Sequence, residues 1–259
     1  MGGGPVGITG PGVSTVLRFV YIVYATLAMY LVLIPWTGLM TFLELFFAFL
    51  RIRPGTWFIA KLWANGIFMM LGHRIHVVNR EYLDTNKNYL LVLNHTSMFD
   101  FPALMAVFPL VSWLGRDNLL KIPVFGTMLR AIDYIAIYPG DVERSKQSIQ
   151  EAIDKSSKIH IAIFPEGTRT LDGKMKEFRK GFTYIVRGTD LDVLPITLNG
   201  LFTWKPKYQR YLTPMEKVHM VFHPVQKNEK LRNMSNEEMA TYMKGIIESG
   251  LLPGRKMNE

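Results

Sequence analysis

Between Val16 and Leu50 the chain carries two charged residues, Arg18 and Glu44, in an otherwise almost unbroken run of apolar side chains. Val16 to Ile34 is long enough to span a bilayer, whereas Leu39 to Leu50 is short for that task. Pro35-Trp36-Thr37-Gly38 lies between them and predicts two hydrophobic helices with a break. A soluble core of this size rarely needs two nearly uncharged helices in succession, so the expectation is a membrane anchor, re-entrant or held in one leaflet. The alternative is a buried core hairpin. No basic leading region or small-residue cleavage site marks the pair as a signal peptide. Arg51, Arg53 and Lys61 follow, which places this end at a cytoplasmic, anionic surface. Trp57 to Leu71 mixes Lys61 and Asn65 with large apolar residues and predicts an amphipathic helix joining anchor to core.

The Gly/Pro-rich start, through Pro11 and Gly12, reads as disordered. Gly2, Gly4 and Gly7 there spell a dinucleotide-type glycine pattern, but no strand precedes them to aim a helix at a pyrophosphate. Residues 1–55 therefore form the start and anchor, and residues 56–259 one catalytic-sized α/β domain. The 259 residues include no cysteine, which excludes disulfides, Cys-ligated zinc and a Cys acyl-enzyme. A net charge of +9 favours anionic partners. With 49% hydrophobic residues and no Lys/Arg-rich arm, a membrane fits that charge better than nucleic acid.

After residue 73 short apolar runs alternate with helical patterns, the signature of an α/β sandwich. Strands are predicted at Arg74 to Val78, Tyr89 to Leu93, Val111 to Leu114, Tyr134 to Tyr138, Ile159 to Phe164, Val193 to Leu198 and Val218 to Phe222. Helices are predicted at Phe101 to Val107, Val124 to Arg130, Val142 to Ser156, Phe182 to Gly188 and Asn236 to Ser249. Ser235 and Glu238 form a capping box for the last, and Gly250 stops it. The expected fold is a mixed sheet of about seven strands flanked by helices, with the two-helix hydrophobic anchor at its N-terminus.

The strand Leu90 to Leu93 ends in Asn94-His95-Thr96-Ser97-Met98-Phe99-Asp100, where open α/β sheets bind their ligands. A carboxylate on one imidazole nitrogen fixes the tautomer and leaves the other nitrogen as a general base. Spacing alone is weak: six histidines, each with a roughly 5% chance of such an aspartate, give about 0.3 accidental pairs. A helix-capping turn is the bland alternative. A second strand end, Phe164-Pro165-Glu166-Gly167-Thr168-Arg169, sets an acid and a guanidinium on a glycine turn, where arginine can grip a phosphate bidentately. Lys174, Lys176, Arg179 and Lys180 precede a helix opening at Gly181, which suits an anion; a solvated basic loop is the alternative. Gly167 and Gly173-Lys174 have the wrong spacing for a nucleotide phosphate loop, with Met175 where it needs Ser or Thr. Ser97 sits in no G-x-S-x-G elbow that would make it a nucleophile.

His95-x-x-x-x-Asp100, followed by the Phe164 to Arg169 hexapeptide, resembles the lysophosphatidic acid acyltransferase family of glycerolipid acyltransferases. A chance hit on that hexapeptide is on the order of 10⁻⁵. Phe178-Arg179-Lys180-Gly181 is similar to a further family block, as is Val193-Leu194-Pro195-Ile196, and the resemblance covers Ile75 to Leu198. The family's Ile-Asp-Arg block is missing: Ile137 is followed by Tyr138 and Pro139, with Arg144 the nearest arginine. Asp100, rather than glutamate, separates the chain from the related lipid A acyltransferases.

The resemblance implies transfer of a fatty acyl group from acyl-CoA or acyl-carrier protein to the 2-hydroxyl of lysophosphatidic acid, giving phosphatidic acid at a membrane. It implies His95 as base and Asp100 as its orienting partner, and it makes Glu166, Gly167, Thr168, Arg169, Arg179 and Lys180 substrate-binding. Neither metal nor cofactor is expected. The oxyanion donor is expected in the backbone near Gly167. Rival readings are acyl transfer to glycerol-3-phosphate or another lysophospholipid, and a non-catalytic membrane-bound lipid-binding protein.

Overall fold

The computed structural model describes residues 15–108, 110–138 and 140–253. The Gly/Pro-rich start and Pro139 lie outside them. Seven strands form one mixed sheet in the order β1-β7-β6-β2-β5-β3-β4. They are β1 (Ile75–Val78), β2 (Leu90–Leu93), β3 (Val111–Arg116), β4 (Ile135–Ile137), β5 (His160–Ile163), β6 (Val193–Asn199) and β7 (Val218–Phe222). Each lies within two residues of its sequence-based bounds. The strands β6-β2-β5-β3-β4 run parallel, and the β1-β7 pair joins them through an antiparallel β6-β7 contact.

The continuous apolar run of β2 is explained by helices on both faces. Leu91 and Leu93 enter the core on one side, and Leu90 and Val92 the core on the other. α5 (Phe125–Ala131) packs on the first side, and the second is covered by α6 (Val142–Ser156), α7 (Gly181–Gly188), α9 (Asn228–Arg232) and α10 (Asn236–Ser249). Ser235 and Glu238 make the predicted reciprocal cap at the start of α10.

The expected break at Pro35 to Gly38 is not there. α1 (Thr15–Ala28), a π-helical turn (Met29–Leu33) and α2 (Ile34–Phe49) form one continuous helix from Thr15 to Phe49, long and apolar enough to cross a membrane. Proline lacks the N–H that a helix interior needs, and its ring crowds the carbonyl four residues back. The wider turn just before Pro35 absorbs that conflict, so the helix continues. Reversal comes instead at Arg51, whose φ is +58°, and leads into α3 (Arg53–Met70). The predicted linking helix is thus the second arm of a hairpin. Its arms meet where Trp36 Nε1 donates to Trp63 O at 3.2 Å and Trp63 Nε1 to Thr37 Oγ1 at 3.1 Å.

The long helix is half partner and half surface. Ala25, Met29, Leu33 and Met40 belong to the same core as the sheet. Phe19, Leu31, Phe42, Phe46 and Phe49 stand exposed on its other side, continued by Phe58 and Met69 of α3.

Candidate active site

Neighbouring parallel strands end on the same edge of a sheet, so the turns after β2, β5 and β6 converge. Asn94 fastens the first: its Nδ2 donates to Leu198 O at 3.0 Å and its Oδ1 accepts from Leu198 N at 2.7 Å. The chain then turns through His95 into α4 (Asp100–Val107), placing Asp100 in the helix's first turn, where an anion is favoured.

His95 Nδ1 lies 2.8 Å from Asp100 Oδ2. That oxygen also accepts the backbone N–H groups of Thr96, at 2.5 Å, and Ser97, at 2.8 Å, while Oδ1 accepts the Thr96 hydroxyl at 3.2 Å. Asp100 is fully buried, whereas the His95 side chain is 22% exposed. Among the described residues nothing bonds His95 Nε2, so the ring offers one nitrogen outward. Phe164 stacks on the imidazole at 4.1 Å, and Trp113 backs Phe164 at 5.3 Å, fixing the ring plane.

The loop after β5 grips the backbone of His95 from both sides. Glu166 Oε1 accepts His95 N–H at 2.6 Å, Glu166 Oε2 accepts Lys176 N–H at 2.9 Å, and Thr170 N donates to His95 O at 3.0 Å. Both carboxylate oxygens of Glu166, expected to bind substrate, are thus engaged by backbone N–H groups. Burial pushes its carboxyl up to about 7, opposed by the same two N–H donors.

Gly167 has φ +69°, a conformation that costs side-chain-bearing residues strain, and Arg179 lies directly over it. The Gly167 N–H is taken by Phe164 O at 3.0 Å. Thr168 Oγ1 and Arg169 O both accept from Lys176 Nζ, at 3.2 and 3.1 Å. The Arg169 guanidinium is half-buried and makes no hydrogen bond among the described residues; burial holds it below its ordinary value, and the charge of Asp100 acts against that shift.

Two basic residues that the sequence singled out are paired with carboxylates. Lys180 is exposed and paired with Glu237 at the start of α10. Arg144 pairs with Asp141 at 3.6 Å and lies over the Tyr138 ring at 5.1 Å. Ser97 is buried and turned into the loop, its Oγ accepting Phe99 N–H at 3.4 Å, which removes it as a nucleophile. A cation that sequence reasoning did not single out is Lys205, beyond β6, whose ammonium feels the charge of Arg169. No local pattern marks it, because it reaches this edge only through the packing of Trp204 against Phe99.

A family model described as Acyltransferase matches residues 74–199, the span from the first strand to the end of β6. A 1-acyl-sn-glycerol-3-phosphate acyltransferase of Cocos nucifera is 26% identical over 92% of this chain and 78% of that protein. One from Borreliella burgdorferi is 27% identical over 72% of this chain and 73% of that protein. The chloroplastic Arabidopsis thaliana acyltransferase of the same title is 25% identical over 70% of this chain, which spans about half (51%) of its length. The crystal structure of a 1-acyl-sn-glycerophosphate (LPA) acyltransferase from Thermotoga maritima superposes with a TM-score of 0.72, at 22% identity, over 91% of this chain and 95% of that one. The sheet, the paired turns and these likenesses define an acyltransferase. The curated relatives that it resembles are 1-acyl-sn-glycerol-3-phosphate acyltransferases, at 25–28% identity.

Proposed function

We propose that this chain transfers a fatty acyl group from a thioester of CoA or of acyl-carrier protein to the 2-hydroxyl of lysophosphatidic acid, forming phosphatidic acid. The observation that carries this is the His95-Asp100 pair, with Nε2 open and with the half-buried Arg169, unpaired among the described residues, in the field of Asp100. His95 Nε2 takes the proton of the 2-hydroxyl as its oxygen attacks the thioester carbonyl carbon. Asp100 holds the imidazolium so formed through Nδ1. When the tetrahedral intermediate collapses, the C–S bond breaks and the imidazolium returns the proton to the departing thiolate. Arg169 holds the acceptor's phosphate, and Gly167, Thr168 and Arg179 shape the loop that presents it. As drawn, the reaction uses no metal or cofactor.

An acceptor with one acyl chain resides in a bilayer, and the exposed apolar side of the long helix supports membrane association. Arg51, Arg53 and Lys61 beside that side favour the anionic, cytoplasmic leaflet. The test is a product assay with a panel of acceptors presented in vesicles. Phosphatidic acid from lysophosphatidic acid is the expected product; preferential acylation of glycerol-3-phosphate or of a lysophosphodiester would replace the reading.

A further inference from the structure

A phosphate monoester carries close to two negative charges near neutral pH, and one guanidinium balances half of that. The turn after β6 brings up a second cation. Gly200 at φ +88° reverses the chain there, and a Cβ on it would meet Lys217 O at 2.2 Å, so the turn is tight and reserved for glycine. α8 (Leu201–Trp204) follows. Its last residue, Trp204, is wholly buried, packed on Phe99 at 5.6 Å and His73 at 4.5 Å, with Nε1 donating to Glu216 O at 2.9 Å. Phe99 directly precedes Asp100, so Trp204 fixes the next residue, Lys205, against the turn that carries the His95-Asp100 pair.

The Lys205 side chain is half-buried and donates to Gln209 O at 2.5 Å. No carboxylate lies within ion-pair distance of it or of Arg169 among the described residues. Arg169 precedes Thr170, whose N–H donates to His95 O at 3.0 Å, so it borders the same turn; burial lowers the pKa of the Lys205 ammonium, and the positive charge of Arg169 lowers it further. The carboxylate whose field reaches Arg169 is Asp100, already engaged by His95, Thr96 and Ser97. Two half-buried cations without a protein counter-ion repel, and an anionic ligand between them relieves both. The segment bearing Lys205 is also tied down: Thr213 N donates to Trp204 O at 2.9 Å, Leu212 N to Thr26 Oγ1 at 3.1 Å and Tyr30 OH to Arg210 O at 3.0 Å.

We infer that Lys205 and Arg169 form a two-cation clamp for the acceptor's phosphate monoester, with Lys205 selecting a dianionic headgroup over a singly charged phosphodiester. This rests on the acceptor class proposed above.

The experiment compares wild type, Lys205→Met and Lys205→Arg in acyl-transfer kinetics. A calorimetric arm titrates glycerol 3-phosphate and its singly charged methyl ester, which needs no turnover. In Lys205→Met the KM for lysophosphatidic acid rises about tenfold, the loss expected for one charge-assisted contact. The donor KM and the melting temperature stay put, and Lys205→Arg recovers most of the loss. Glycerol 3-phosphate binding weakens about tenfold, and methyl-ester binding by less. An unchanged acceptor KM overturns the inference. So does a fall in kcat with a lower melting temperature that arginine fails to rescue, because Lys205 would then only brace the Gln209 turn. If wild type fails to acylate lysophosphatidic acid, the acceptor reading falls, and the calorimetric arm still decides whether Lys205 binds a dianion.

Discussion

Glu166 and His95 stand 71 residues apart in sequence, yet Glu166 Oε1 accepts the backbone N–H of His95 at 2.6 Å. The acid of one sequence motif thereby sets the backbone of the other. Glu166→Gln retains one acceptor but turns an amide NH2 toward one of the two N–H donors. Activity is expected to fall about 10- to 100-fold with little change in acceptor KM, read from steady-state kinetics. A selective rise in acceptor KM would return Glu166 to the substrate.

The same residue predicts a pH dependence. With a folded pKa of about 7 against an ordinary 4.5, the folded state holds the proton after the unfolded chain has released it. Stability from Glu166 is therefore present below pH 4.5 and is lost as pH rises toward 7. His160, pushed down to about 4 by burial, acts oppositely, losing stability as pH falls from 6.5 toward 4. Wild type must accordingly be compared with Glu166→Gln by denaturant titration: the difference should shift against wild type between pH 4.5 and 7 and be flat above. Parallel profiles would contradict the raised pKa.

Gly167→Ala forces a left-handed residue against Arg179. A loss of about 1–2 kcal/mol in stability is expected from thermal melts, with reduced acceptor affinity. Unchanged stability would show that the loop relaxes to another conformation.

Glu44 is 1% exposed and its Oε1 has no hydrogen-bond partner among the described residues. Replacing an unsatisfied buried polar group with an apolar one of similar shape removes its desolvation cost, so Glu44→Met should stabilise the protein by about 1–3 kcal/mol. Destabilisation would mean the carboxyl has a partner or a task.

Removing the long helix outright would strip Ala25, Met29 and Leu33 from the core, so membrane binding is better tested on its exposed side. Phe46→Glu with Phe49→Glu should abolish co-flotation with vesicles while leaving the melting temperature within a few degrees. Undiminished flotation would place the membrane contact elsewhere.

Sequence made the sheet readable because strands buried on both faces, such as Leu90 to Leu93, are short apolar runs between polar turns. The His95-Asp100 pair was readable because its partners are five residues apart. The uninterrupted helix through Pro35 was not, since a π-helical turn leaves no mark in composition. Neither the backbone role of Glu166 nor the approach of Lys205 could be read, because both depend on which strand ends become neighbours in the sheet. The pairing of Lys180 with Glu237 could not be read for the same reason.

The most direct measurement of the central claim is release of free thiol from an acyl thioester, with and without lysophosphatidic acid, by wild type, His95→Ala and Asp100→Asn. Acceptor-dependent release by wild type, reduced about 10³- to 10⁴-fold in both variants at unchanged acceptor affinity, is the predicted result. Equal release by His95→Ala would contradict the assignment of His95 as the base that activates the acceptor hydroxyl.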